Sequence, residues 1–137
     1  MATTADQMAL AVGKTFVWHE VYVPDGTRAV EFYTSVLGWT TQEMDMGPSG
    51  TYTMLVNNGT PVCGVSPTDG NPELANVPPH WSTYISVDDV DARLAKCTEL
   101  GGTVIVPPMD IPTVGRMALI QDPQGATFWL FKGTESA

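Results

Sequence analysis

Glu20 is the side chain in this sequence best placed to do chemistry. It sits between Trp18 and Tyr22 in the run FVWHEVYV, residues 16 to 23. A carboxylate set among rings loses hydration, which raises its pKa and fits it to act as a general base. The competing reading is a structural carboxylate hydrogen-bonded to Tyr84, Ser82 or a backbone amide. His80, one of only two histidines, could pair with Glu20, bind a ligand anion or join a metal site; after Pro78-Pro79 at the start of a strand it reads equally well as a surface residue. Cys63 is a nucleophile only beside a base or a positive field, and otherwise a small core residue. Arg116 could anchor an anionic ligand or bridge to Asp110 or Asp122.

Side-chain alternation along strands assigns these residues to faces. Trp18, Glu20 and Tyr22 share one side of the first strand, and Val17, His19, Val21 and Val23 share the other. In the run HWSTYISV from His80, the residues His80, Ser82, Tyr84 and Ser86 share a side, opposite Trp81, Thr83, Ile85 and Val87. Trp129 and Phe131 share a side of the last strand with Thr127. The valine-rich sides suit packing against helices. The other sides collect Trp18, Tyr22, Tyr84, Trp129 and Phe131, either as an aromatic lining for a flat apolar ligand or as a filled interior.

The elements that must hold these residues occur twice. After the first strand, Pro24-Asp25-Gly26 breaks the chain. Ala29, Phe32, Tyr33, Val36 and Leu37 then form a helical stripe, with Asp25 or Thr27 as cap and Gly38 as stop. Extended stretches follow at Trp39 to Met44, Thr51 to Val56 and Pro61 to Val65, with Asn57-Asn58-Gly59 as a hairpin turn. The second half repeats this order. His80 to Val87 is a strand, and Asp88-Asp89 caps a helix striped by Val90, Leu94, Cys97 and Leu100. Strands follow at Thr103 to Val106, Arg116 to Gln121 and Thr127 to Phe131. The copies are offset by about 64 positions and match in pattern more than in identity. The expected organisation is a loose N-terminal tail (1–15), a first βαβββ module (16–66), a proline-rich linker (67–79) and a second βαβββ module (80–133). Together the modules make one compact domain. The fold class is α+β, with mixed sheets forming a curved half-barrel around a cavity.

Composition narrows the function. The chain has 137 residues, a formal net charge of −9 and only 15% charged residues. An acidic surface with few basic residues repels phosphate backbones, so no nucleic-acid partner is expected. No apolar run reaches membrane-spanning length and no signal peptide is evident, so a cytoplasmic protein without membrane association is expected. The two cysteines, Cys63 and Cys97, lie in no CxxC pair and read as reduced thiols.

Several runs taken together resemble the vicinal oxygen chelate superfamily, which includes glyoxalases, bleomycin resistance proteins and extradiol dioxygenases. They are Val23-Pro24-Asp25 with Glu31-Phe32-Tyr33 and Val36-Leu37-Gly38-Trp39, Val87-Asp88-Asp89-Val90 with Leu100-Gly101-Gly102, and Gly115-Arg116-Met117-Ala118 with Asp122-Pro123-Gln124-Gly125. The resemblance implies a divalent-metal site with one ligand from the first and one from the last strand of each module. In this sequence those positions carry Trp18, Cys63 (or Gly64, depending on a one-residue gap), Ser82 and Trp129. An indole does not ligate a hard divalent ion, and a serine hydroxyl is a poor substitute for carboxylate or imidazole. The sequence therefore resembles a metal-free branch whose first strand reads W-x-E/D, and no cofactor is expected; a divalent metal enters only if this register is wrong. The implied function is metal-independent binding of a small aromatic or apolar molecule by Trp18, Tyr22, Cys63, Ser82, Tyr84, Arg116, Trp129 and Phe131, with a homodimer implied by the family. One alternative is a glyoxalase-like lyase or isomerase, or a dioxygenase-type enzyme, using Glu20 as base or a shifted metal site with His80. Another is an interaction or regulatory module with a filled cavity.

Overall fold

The computed structural model describes residues 15–134, and the expected N-terminal tail lies almost entirely outside them. The described chain forms two compact units, one of residues 19–82 and one of residues 83–134 together with 15–18. Their boundary cuts through the first strand of each expected module: residues 16–18 go with the second unit and His80–Ser82 with the first.

The fold is α+β, two βαβββ modules in the expected order. The first runs β1 (Phe16–Val23), α1 (Gly26–Leu37), β2 (Thr40–Asp45), β3 (Thr51–Asn57) and β4 (Thr60–Pro67). The second runs β5 (His80–Ser86), α2 (Val90–Glu99), β6 (Thr103–Ile111), β7 (Gly115–Gln121) and β8 (Thr127–Gly133). Each module has a mixed sheet with the same internal order. In the first, β2 pairs with β3 and β3 with β4 antiparallel, and β4 pairs with β1 in parallel. In the second, β6–β7 and β7–β8 are antiparallel and β8–β5 is parallel.

Local chemistry explains the boundaries. Asp25 and Asp89 cap the helices, their side chains accepting from the backbone N–H of Arg28 and Ala92, which satisfies donors no intrahelical carbonyl can reach. In the β3–β4 hairpin, Asn58 and Gly59 both take positive φ, the conformation a two-residue hairpin of matching twist requires. The second strand of the second module, β6, runs to Ile111, beyond the expected Val106. It passes through Pro107-Pro108, where the pairing with β7 shifts register between Val106 and Met109. Proline lacks the N–H a central strand needs, and β6 tolerates two because it pairs on only one side within its unit.

Each helix covers one sheet face. Ala29 of α1 packs with Val21, Leu55, Cys63 and Val65 of the sheet; Val90 and Leu94 of α2 pack with Ala118, Ile120 and Leu130. The helical stripe is corrected in part: Phe32, Val36 and Leu37 of α1 and Leu100 after α2 are exposed, while Val30 joins Ala29 and Tyr33 against the core. Small Ala29 at the contact leaves the bulkier Phe32 and Val36 to project outward. Val17 is also corrected. It packs with Trp129 and Phe131 of the second unit rather than under α1, because only Val21 and Val23 of this strand join the α1 core.

Leu55 is fully buried at the centre of the α1 core. Leu55→Ala should lower the unfolding free energy by about 2–5 kcal/mol, since the cavity adds to the lost transfer energy. Urea unfolding monitored by circular dichroism measures it, and a loss below about 1 kcal/mol would mean the site collapses to fill the space.

Candidate functional site

The sheet faces turned away from the helices carry the residues of interest. In the first unit this face holds Glu20, Tyr52, Gly64 and Ser66. Glu20 is buried at 5% exposure. Its Oε1 accepts from the Tyr52 hydroxyl at 2.6 Å and its Oε2 from the Ser66 hydroxyl at 2.6 Å. These are lengths typical of hydrogen bonds to an ionised oxygen. A buried carboxylate is costly without such partners, and each oxygen has one.

Gly64 makes the arrangement possible. It is the β4 partner of Glu20 across the parallel pair. A Cβ there would collide with the Tyr52 hydroxyl and come within 2.5 Å of Glu20 Oε1. The phenol crosses the space a side chain at this position would fill. Only glycine lets it through.

The same address in the second unit has opposite chemistry. Tyr84 and Trp129 are the β5–β8 partners equivalent to Glu20 and Gly64. Their rings stack with centroids 5.2 Å apart and planes within 3°, and Phe131 meets Tyr84 edge-on at 6.3 Å. Val114 and Met117 complete the buried cluster. The Trp129 indole nitrogen is sealed from solvent with no hydrogen-bond partner, as is the Ser82 hydroxyl in the first unit. A buried polar group left unpaired costs about 1–3 kcal/mol, so each marks a position where a partner is missing.

The remaining expected site residues fall as follows. Trp18 is buried. Tyr22 stacks on His80 with ring centroids 4.9 Å apart and planes within 10°, and His80 Nδ1 lies 2.7 Å from the Pro78 carbonyl oxygen. The ambiguity between Cys63 and Gly64 resolves toward Gly64. Cys63 is no lining residue; it points into the core under α1, and burial, with the Glu20 charge behind it, pushes its thiol well above the ordinary range. A thiol held protonated is no nucleophile. Both cysteines are free.

Of the two readings of Arg116, the bridge to Asp110 is present, and Asp91 joins it. Its Nε and Nη2 donate to both Asp91 oxygens at 2.9 Å, and its Nη1 donates to Asp110 at 2.8 Å. Asp91 and Asp110 hold the guanidinium protonated above its usual range, and Arg116 in turn lowers Asp91. Asp122 is not its partner; that carboxylate accepts from the backbone N–H of Gln124 and Ala126 in the β7–β8 turn. Trp81, expected under α2, instead donates from Nε1 to the Tyr33 hydroxyl of α1 at 3.2 Å.

Tyr52 and Ser66 are donors to Glu20 that sequence reasoning did not name. Alternation alone put Glu20 on its face, but naming its donors required the β1–β4 and β3–β4 registers. The pattern that could have found them is a glycine opposite a buried acid with hydroxyls at neighbouring same-face positions.

A sequence profile described as the Glyoxalase/Bleomycin resistance protein/Dioxygenase superfamily matches residues 15–130. The chain belongs to this superfamily. CFP32 of Mycobacterium tuberculosis, which bears a provisional glyoxylase name, is 39% identical over 86% of this chain and 44% of its own length. The anthracycline biosynthesis protein DnrV of Streptomyces peucetius is 31% identical over 84% of this chain and 46% of its own. The chain thus spans less than half the length of these relatives. Among solved structures, a hypothetical protein from Bacillus halodurans superposes with a TM-score of 0.63 at 16% identity, covering 89% of this chain and 96% of that one. Methylmalonyl-CoA epimerase from Mycobacterium tuberculosis superposes with a TM-score of 0.59 at 18% identity, covering 88% and 89%. These likenesses show a shared fold.

The positions that the family resemblance assigns to metal ligands hold Trp18, Gly64, Ser82 and Trp129: two indoles, no side chain and one hydroxyl, a donor set that does not fit a hard divalent ion. Among the described residues, no group of three or more His, Cys, Asp and Glu could hold an ion.

Tyr52→Phe removes one donor from Glu20 and should destabilise the protein by about 1–3 kcal/mol. Gly64→Ala displaces the whole phenol and should cost more. Urea unfolding of both variants checks the order; a Gly64→Ala protein as stable as wild type would show that the phenol does not occupy this space.

Proposed function

We propose that this chain is a metal-independent binding protein for a small, flat aromatic molecule. The observation that carries the reading is the Tyr84–Trp129–Phe131 cluster on the helix-free face of the second unit, with Trp129 and Phe131 buried, Tyr84 partly buried and an indole nitrogen lacking a partner. Stacked rings recognise planar ligands, and each aromatic contact adds about 0.5–1.5 kcal/mol beyond area burial. The poor fit of the four donor positions to a hard cation supports independence from metal. The anthracycline biosynthesis name of one relative agrees with a flat polycyclic ligand.

A second reading, a cofactor-free enzyme, is favoured by one observation. Glu20 is fixed by Tyr52 and Ser66 as a buried carboxylate of defined orientation, the preorganisation a proton acceptor needs. The alternative of a metal site shared by Glu20 and His80 gains no support, since the His80 ring is stacked on Tyr22 with its Nδ1 beside a carbonyl oxygen.

We also propose that two copies associate. The relatives are more than twice as long as the segment they share with this chain, and Phe32, Val36 and Trp81 leave apolar surface open on the first unit. No helix among the described residues is long and apolar enough to cross a membrane. Sedimentation should give a dimer mass that Phe32→Glu reduces to a monomer; a wild-type monomer at high concentration would refute the pairing.

Equilibrium dialysis of the purified protein against fluorene tests the binding reading. Saturable binding should survive EDTA and weaken several-fold in Tyr84→Leu. Binding abolished by EDTA, or a stoichiometric metal in the isolated protein, would overturn metal independence. Absence of binding would leave the aromatic cluster as a self-filled interior.

A further inference from the structure

The Trp129 indole nitrogen narrows the ligand class, and this inference rests on the small-molecule reading above. The residue is 8% exposed, and its nitrogen is buried without a partner. An indole N–H is a donor only, so what is missing is an acceptor. Val114, Met117 and Phe131, buried with Trp129, carry no oxygen, and the one hydroxyl of the cluster, on Tyr84, is not a partner of this nitrogen. An acceptor delivered with a ligand would complete it.

We propose that the bound molecule is a planar aryl ketone or quinone whose ring carbonyl takes the Trp129 N–H. Three features select a neutral carbonyl. It accepts without donating, matching a donor-only indole, whereas a ligand hydroxyl would bring a proton needing its own acceptor. A carboxylate or phosphate would meet a chain of net charge −9. Arg116, a cation of this unit, is already bound to Asp91 and Asp110. The planar frame follows from the near-parallel Tyr84 and Trp129 rings, since the ring bearing the carbonyl has to lie against an aromatic surface.

Fluorenone and fluorene share one tricyclic frame and differ in a carbonyl against a methylene, so they isolate the acceptor. In equilibrium dialysis, wild-type protein should bind fluorenone about tenfold more tightly than fluorene, the worth of one hydrogen bond. Trp129→Phe should bind the two alike. In NMR spectra of the folded wild-type protein, the Trp129 indole N–H signal should move downfield with fluorenone as a hydrogen bond forms, whereas fluorene perturbs it by ring current alone, a readout independent of how well the variant folds. Equal wild-type affinities, discrimination that survives Trp129→Phe, or an indole signal unmoved by fluorenone would each overturn the proposal while leaving aromatic binding intact. If neither compound binds, the small-molecule reading fails and this inference fails with it.

Discussion

Glu20 stays inside the first unit because two hydroxyls donate to it and a glycine leaves room for one of them. The Tyr52 phenol and the Ser66 hydroxyl each take one carboxylate oxygen, and Gly64 clears the path. Desolvating a carboxylate costs several kcal/mol unless such bonds are made. The register of three strands is therefore tied to one acid. A one-residue slip of β4 against β1 would turn Gly64 and Ser66 toward α1 and set Cys63 or Val65 against the carboxylate.

The two modules show how one topology carries two chemistries. Both sheets run in the same internal order, with a parallel pair between their first and last strands. At matching positions on that pair, the first module places an acid and a glycine and the second places two stacked rings. The helix-covered faces are alike in kind, built from Val, Leu, Ile and Ala. On a helix-free face a substitution changes the local chemistry without disturbing the helix packing.

Much of this architecture is legible in the residues themselves. Asp25 and Asp89 announce the helix starts, Asn58-Gly59 announces the hairpin, and alternation separates Val21 from Glu20 and Leu130 from Trp129 correctly. These are local effects, decided by backbone geometry within a few residues. The misreadings concern contacts between distant segments. Phe32 and Val36 fit a helical stripe but project outward, because the size of Ala29 and its opposing residues sets the rotation of α1. Trp81 alternates toward its own helix yet meets Tyr33, some 48 positions away in the chain.

Residue order alone decided the element sequence, the duplicated module and which side chains share a strand face, since covalent geometry and capping act over short range. Folding in three dimensions decided the partners: that Glu20 meets Tyr52 and Ser66, that Gly64 rather than Cys63 faces it, that Arg116 is consumed by Asp91 and Asp110, and that the Trp129 nitrogen is buried unpaired. Those outcomes depend on strand register and long-range packing, in which a shift of one residue exchanges every neighbour.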